Sequence, residues 1–302
     1  MNFSQYSAAD MENFGDILYP ISMMAYAESL GYRLDQNFSF LSGLSLLGAK
    51  YKTSPIVRLF EKKEIVDRLV IGGGDIMRLD DDVVAGHYRS FFEKPKLNFA
   101  RQDPWAKPSK SAAQVFKEQH MPPVRGAFLL SRENCPSLSR VGYFSCGVPF
   151  CFKNTHEANY VRTILDKANY IYVRDEISAQ KLLSTGLKTP VTAAPDFLIG
   201  IRHLYPASSL VQLVDELVGF DVEKCAQKYL VFQGSMAILP YLSIVENILS
   251  AYSNDTGVNV VLLPLGFCHG DRETMNQLAI LSKNKFRVAR DGVQNPGQAR
   301  MA

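Results

Sequence analysis

A mostly apolar run that ends in three consecutive glycines is the feature that most constrains how this chain folds. Residues 65–71 predict a buried parallel β-strand, and Gly72-Gly73-Gly74 ends it. Similar runs at 140–146 and 170–173 predict two further strands, with helical patterns between the strands. Strands that alternate with helices are typical of an α/β fold built on a parallel sheet, so we predict that class.

The same alternation resumes in the second part of the chain. The predicted elements are strands at 229–232, 258–265 and 286–288 and helices at 238–249 and 272–281. A polar, proline-containing connection at 196–206 separates the two parts, so we predict a first domain over 1–205 and a second over 206–290. Residues 291–302 have no periodicity and are predicted to be a tail. Three strands are few for an open sheet covered on both faces, so we expect the second domain to be incomplete.

Composition excludes several classes of protein. The 302 residues include 33 Lys+Arg against 30 Asp+Glu, and a net charge of +3 is too small to indicate a nucleic-acid partner. No apolar run approaches the ~18 residues of a membrane-spanning helix. Acidic residues, Asp10 and Glu12, stand where a signal peptide is apolar, so a cytoplasmic location is expected. Five cysteines without a CxxC pair predict reduced, mostly buried thiols and no zinc site.

Four turns carry the residues that we expect to bind a ligand. The first, Asn13-Phe14-Gly15-Asp16, opens a helix, and Pro20 predicts that the helix starts near Tyr19 and leaves 13–16 as a loop. A cradle for an anion or a sugar and simple helix capping both remain open for this turn.

The second turn is the glycine triplet with Asp75. It permits close approach of a substrate to the backbone, but it lacks the last glycine of the dinucleotide fingerprint, so an NAD site is disfavoured. A tight turn without a ligand is the alternative.

The third turn, Arg174-Asp175, follows strand 170–173. Asp175 is predicted to cap a helix that ends near Gly186, and Arg174 stands at the strand's carboxyl end, where α/β sheets bind ligands. A guanidinium there suits a carboxylate or a phosphate, and a salt bridge to a neighbouring acid is the alternative.

The fourth turn, 266–271, follows the apolar strand 258–265. His269 is a candidate for proton transfer or for binding a sugar hydroxyl, and Asp271 is a candidate helix cap.

Taken together and in order, the four turns resemble the polysaccharide pyruvyl transferase family. The resemblance covers roughly residues 10–285. It implies two Rossmann-like lobes in a GT-B-like arrangement, without a nucleotide or metal cofactor. It also implies transfer of a pyruvyl group from phosphoenolpyruvate to a saccharide as a cyclic ketal, in exopolysaccharide or capsular polysaccharide biosynthesis. We expect a saccharide acceptor, with a lipid-linked saccharide as one alternative, and a peripheral position at the inner face of the membrane is an alternative to the cytoplasmic location.

The resemblance also assigns roles to residues. It places Arg174 on the donor and the glycine turns at the cleft, so that these turns form one electropositive crevice. The substrate-binding residues that it implies are Asn13, Gly15, Asp16, Gly72, Gly73, Gly74, Arg174, His269 and Asp271. The family's late Arg-x-His motif has no counterpart here, since no histidine follows His269. A shortened inactive chain, an acid role for His269 and completion of the site by a partner chain all remain open.

Two other function classes share these features. A GT-B-like glycosyltransferase that uses a nucleotide sugar has the same lobes and glycine turns, although we find no acidic or aromatic nucleotide site in the second lobe. A non-catalytic binding protein is the other alternative, with an apolar face on residues 228–290 that promotes self-association as a homo-oligomer.

Overall fold

The computed structural model describes residues 1–9, 14–40, 45–46, 51–61, 65–81, 84, 124–152, 154–204, 228–265 and 270–288. These residues form two compact units, a larger one from the chain up to Leu204 and a smaller one chiefly from the chain beyond it. The predicted tail 291–302 lies outside the described residues.

A parallel sheet of seven strands forms the larger unit. Its strands are β1 (Asn2–Tyr6), β2 (Arg33–Ser39), β5 (Ser54–Pro55), β6 (Val66–Gly72), β7 (Leu138–Cys146), β8 (Tyr170–Val173) and β9 (Val191–Ala193). They pair in the order β5-β2-β1-β6-β7-β8-β9, and a separate antiparallel pair joins β3 (Ser45–Leu46) to β4 (Tyr51–Lys52). The α/β class with a parallel sheet is therefore confirmed.

Helices cover both faces of this sheet. Their bounds are α1 (Phe14–Ser29), α2 (Arg58–Glu61), α3 (Thr155–Leu165), α4 (Glu176–Leu183) and α5 (Ile201–Leu204), with a 3₁₀ turn at Phe197–Gly200. Strand side chains alternate between faces, so Leu69 and Ile71 pack in the main core with α3 and α4, whereas Val70 packs with α1. Because the strands of this sheet are parallel, their carboxyl ends meet at one edge of the sheet, beneath the turns that lead to the helices.

Helix α1 begins earlier than predicted. We expected 13–16 to remain a loop because of Pro20, but the helix starts at Phe14 and contains that proline. A proline inside a helix loses one hydrogen bond. Burial of Tyr19, Met23 and Ala27 against Phe3 of β1 outweighs this loss.

The smaller unit is a three-stranded parallel sheet with helices. In chain order it contains β10 (Tyr229–Phe232), a 3₁₀ helix (Met236–Tyr241), α6 (Leu242–Thr256), β11 (Asn259–Leu262), α7 (Asp271–Leu281) and β12 (Arg287–Val288), with the strands paired in that order. A single helix over 238–249 was predicted. Its first part is a 3₁₀ helix that contains Pro240, which has no N–H for an α-helical hydrogen bond.

Within the described ranges, no helix combines the length and the hydropathy that a membrane span requires.

Candidate functional site

Arg174 lies at the carboxyl-end edge of the large sheet, directly after β8. Its Nη2 donates to Asp75 Oδ1 at 2.5 Å, and Asp75 directly follows the glycine turn that ends β6. The side chains of Arg174 and Asp75 are 29% and 48% exposed, so the ion pair is open to solvent on one side. The second and third predicted turns therefore meet at one place.

Two more carboxylates surround the same guanidinium. Asp175 Oδ2 lies 3.8 Å from Arg174 Nε, and Asp196 Oδ2 lies 3.9 Å from Arg174 Nη1. The salt-bridge alternative for Arg174 is thus confirmed. The prediction that these turns form an electropositive crevice is wrong for the side chains that the structure describes. One guanidinium faces three carboxylates there. Across the described ranges, no cluster of three or more His, Cys, Asp or Glu is arranged to hold a metal ion.

Gly147 makes room for the ion pair. A Cβ added at this position would lie 2.2 Å from Asp75 Oδ1 and 2.8 Å from Arg174 Nε. The Gly147 N–H donates to the Gly74 carbonyl at 2.8 Å, which ties the two strand ends together. Any larger residue would push the two charged side chains apart. Sequence reasoning missed this role because Gly147 stands in an apolar run, where it looked like a simple interruption.

The glycine triplet divides into two parts. A Cβ on Gly72 or Gly73 would meet Tyr19, at 1.8 Å from its Oη and 2.7 Å from its Cγ respectively. The Tyr19 hydroxyl donates to the Phe144 carbonyl at 3.0 Å, and burial raises its pKa well above the usual value. The first two glycines therefore accommodate a buried tyrosine, as the alternative of a tight structural turn implies.

Gly74 faces the N-terminal turn instead. A Cβ there would lie 2.7 Å from Asp16 Oδ1, and Gly74 has a φ of +66°, a conformation that favours glycine. The structure thus brings together Asp16, Gly74 and Arg174 with its carboxylates. Gly15 is exposed in the first turn of α1, whereas Asn13 lies outside the described residues.

Ser145 supports the same edge with a strained backbone. Its φ of +56° is unusual for a residue other than glycine. The Ser145 hydroxyl accepts from the Phe197 N–H at 2.9 Å and donates to Asp196 Oδ1 at 3.5 Å. Such strain persists where surrounding contacts impose it, and here they hold Asp196 near Arg174. The sequence carried no signal for this role beyond the placement of a serine at a strand end.

Asp175 caps α4 as predicted. Its Oδ1 accepts from the Ser178 N–H at 2.6 Å. Partial burial raises the pKa of Asp175, but the hydrogen bonds from Ser178 and the charge of Arg174 lower it more, so the pKa lies below its usual value. This carboxylate is ionised near neutral pH and helps to hold the guanidinium in place.

Cys146, which lies at this edge, is unsuited to act as a nucleophile. Cys146 is buried at the end of β7, and desolvation raises the pKa of its thiol to about 12. A nucleophilic cysteine requires a lowered pKa. Cys135 is also a buried free thiol, as expected, whereas Cys151 is exposed.

Gly270 and Asp271 are the described residues of the fourth turn, in the smaller unit. The N-cap position falls on Gly270, so the prediction that Asp271 caps the helix is wrong; Asp271 is the first residue of α7. Its buried Oδ2 accepts from Gln233 Nε2 at 2.7 Å and from the Leu265 N–H at 3.2 Å. The carboxylate thus joins the turns after β10 and β11. His269 lies outside the described residues.

Comparison with known proteins supports the resemblance drawn from the turns. The sequence model of the family described as Polysaccharide pyruvyl transferase matches residues 128–271, a little under half of the chain. The matched segment contains Gly147, Arg174, Asp175 and Asp196, and it indicates a transferase that acts on polysaccharide. No curated protein gives a significant match to this chain. The likeness to this family is therefore confirmed over residues 128–271.

Proposed function

We propose that this protein transfers the pyruvyl group of phosphoenolpyruvate to a saccharide, in exopolysaccharide or capsular polysaccharide biosynthesis. The observation that carries the proposal is the partly exposed Arg174 guanidinium at the carboxyl end of β8, inside the segment that matches the family. Phosphoenolpyruvate has a carboxylate and a phosphate, and arginine binds both groups through paired N–H donors.

The donor competes with Asp75 for Arg174. The Nη2 that would bind the donor is engaged by Asp75 in this structure. Exposed ion pairs contribute little stability, about 0–1 kcal/mol, so an exposed aspartate is readily displaced by a ligand with two anionic groups. Asp75 therefore holds the guanidinium in position until the donor arrives.

The proposed reaction forms a ketal and inorganic phosphate. An acid protonates the methylene carbon of phosphoenolpyruvate, which becomes a methyl group and leaves positive character on the central carbon. Two hydroxyls of one sugar add to that carbon, and the phosphate leaves with the electrons of its C–O bond. Of the two hydroxyl protons, one restores the acid and the other leaves with the phosphate. His269 is the candidate acid.

Donor binding and turnover test the proposal separately. Calorimetry with phosphoenolpyruvate measures the donor site, and phosphate release with galactose- and mannose-type acceptors, followed by mass spectrometry of the ketal, measures transfer. Arg174→Lys is expected to weaken donor binding by roughly 10-fold or more, because a lysine cannot bind bidentately. Arg140→Lys is the control, since Arg140 lies on β7 beside Asp67 and has an exposed side chain.

Two results would contradict the proposal. Stabilisation of the protein by nucleotide sugars but not by phosphoenolpyruvate would favour a glycosyltransferase. Donor binding without a ketal product under any acceptor would contradict transfer by this chain alone, which is the outcome expected of a shortened and inactive member of the family.

A further inference from the structure

Among the residues that the structure describes, four buried polar side chains at the ends of β1 and β2 have side-chain oxygens without a hydrogen-bond partner. Gln5, Ser7, Asn37 and Ser39 are 1%, 1%, 6% and 0% exposed. The atoms concerned are Gln5 Oε1, Ser7 Oγ, Asn37 Oδ1 and Ser39 Oγ. Buried polar atoms are almost always satisfied by protein, water or ligand, so four such atoms on two adjacent strands require an explanation.

The strand register places the four side chains together. Gln5 is paired with Asn37 in the parallel β1–β2 ladder, and the Ser7 N–H donates to the Phe38 carbonyl beside Ser39. Side chains two residues apart share a face, and neighbouring strands lie about 4.8 Å apart. The four groups therefore form a patch about 5 Å by 7 Å, which we call the polar patch.

The polar patch lies on the α1 side of the sheet. Phe3, two residues before Gln5, packs against Tyr19 of α1, and Gln5 Nε2 donates to the Pro20 carbonyl at 3.0 Å. The intervening Tyr6 points to the opposite face and belongs to the main core. The polar patch thus stands at the carboxyl ends of its strands, and it shares that edge with Arg174 because β1 pairs with β6.

The chemistry of the polar patch suits hydroxyl groups. Two amide oxygens accept hydrogen bonds, and two serine hydroxyls both donate and accept. A carboxylate or a fully ionised phosphate has no proton to offer the amide oxygens, whereas a sugar hydroxyl both donates and accepts. The spacing of the patch is comparable with the distances between hydroxyls around one sugar ring.

We infer that Gln5, Ser7, Asn37 and Ser39 bind hydroxyl groups of a saccharide. One part of this inference rests on the proposed function, namely that the bound saccharide is the acceptor of the pyruvyl group. Arg174 would then hold the anionic donor, and the polar patch would hold the neutral acceptor, at the same edge of the sheet.

Binding of simple glycosides tests this without requiring turnover. The probes are methyl galactopyranoside and methyl mannopyranoside, and the measurements are saturation-transfer NMR and calorimetry on the full chain. The double variant Ser7→Ala and Ser39→Ala is expected to weaken glycoside binding about 10-fold and to leave phosphoenolpyruvate binding unchanged. Ser4→Ala is the matched control, because Ser4 is equally buried on β1 but points to the opposite face.

Folding of the variants is measured by thermal unfolding. In each serine-to-alanine change a hydrogen atom replaces an unpartnered hydroxyl, which leaves no new unsatisfied group. The double variant is therefore expected to fold. Should it fail to fold, Ser39→Ala alone provides the same comparison with a smaller expected loss of about 3-fold.

The outcomes separate this inference from the proposed function. Glycoside binding that depends on Ser7 and Ser39, without any ketal product, supports the inference and contradicts the proposed function. Ketal formation with an unchanged acceptor KM in the double variant supports the function and overturns the inference. The absence of glycoside binding, or a crystal soaked in glycoside that shows only ordered water at the polar patch, also overturns it.

Discussion

Asp75 and Arg174 form an ion pair across the end of β7. Asp75 follows β6 and Arg174 follows β8, while β7 lies between these strands in the sheet. The two side chains meet over Gly147, which follows β7 and has no side chain to block them. The contact thus depends on a third residue, Gly147, which follows a different strand from those that precede Asp75 and Arg174.

Replacement of Gly147 by alanine is expected to break this arrangement. The added Cβ would lie 2.2 Å from Asp75 Oδ1, so the structure must shift, and overpacking of this kind costs roughly 1–3 kcal/mol. Urea denaturation checks the loss of stability, and calorimetry checks the accompanying loss of donor binding. Gly200→Ala is the control, since nothing lies within 4 Å of a Cβ there. Equal stability of the two variants would contradict the prediction.

Asp75→Asn is expected to strengthen donor binding. The variant keeps the shape of the side chain but removes a negative charge that competes for Arg174 and repels the donor. The expected gain is about 3- to 10-fold at low salt, and it shrinks as salt screens the partly exposed pair. Calorimetry at two salt concentrations measures it, with the exposed Asp67→Asn as control. Weaker binding would contradict this expectation and would show that the positioning of Arg174 by Asp75 outweighs its competition with the donor.

Variants of Ser145 separate backbone strain from hydrogen bonding. Ser145→Ala keeps the strained φ of +56° and loses the hydrogen bonds to Phe197 and Asp196, so it is expected to lose about 1–2 kcal/mol. Ser145→Gly loses the same hydrogen bonds but relieves the strain, so its loss is expected to be smaller. Urea denaturation of both variants compares them, and a less stable glycine variant would refute the role of strain.

The lowered pKa of Asp175 predicts a stability difference in acid. A carboxyl whose folded pKa lies below its unfolded value of about 3.9 stabilises the fold above that value. This contribution is lost as the pH falls through the folded pKa. Asp175→Asn keeps a helix-capping side chain, so it is expected to flatten the pH dependence of stability between neutral pH and pH 3. Parallel pH profiles for variant and parent would contradict the assignment.

Alkylation of the folded protein is expected to distinguish its thiols. At pH 8, iodoacetamide is expected to label the exposed Cys151 and to leave Cys146 unlabelled, since burial raises the pKa of that thiol to about 12. Peptide mass spectrometry reads the two positions separately. As a control, Cys146 is expected to be labelled once the protein is unfolded in urea. Rapid labelling of Cys146 without denaturant would contradict the burial of this thiol.

Much of the sheet was predictable because its strands are locally distinctive. Strands 170–173 and 229–232 have the predicted bounds, and Asp175 caps its helix as expected. Strands β1 and β2 were not predicted. Their ends carry Gln5, Ser7, Asn37 and Ser39, which are polar yet buried, so these strands have no apolar run to reveal them.

The amino-acid sequence by itself determined the parallel α/β class and the position of Arg174 at a strand end, because periodicity and turn residues act over a few neighbours. Tertiary structure alone decided which groups from distant parts of the chain meet Arg174. The pairing with Asp75 depends on strand order, and the room at Gly147 depends on two side chains from other strands. Contacts between residues far apart in the chain leave no local pattern, so only the folded sheet reveals them.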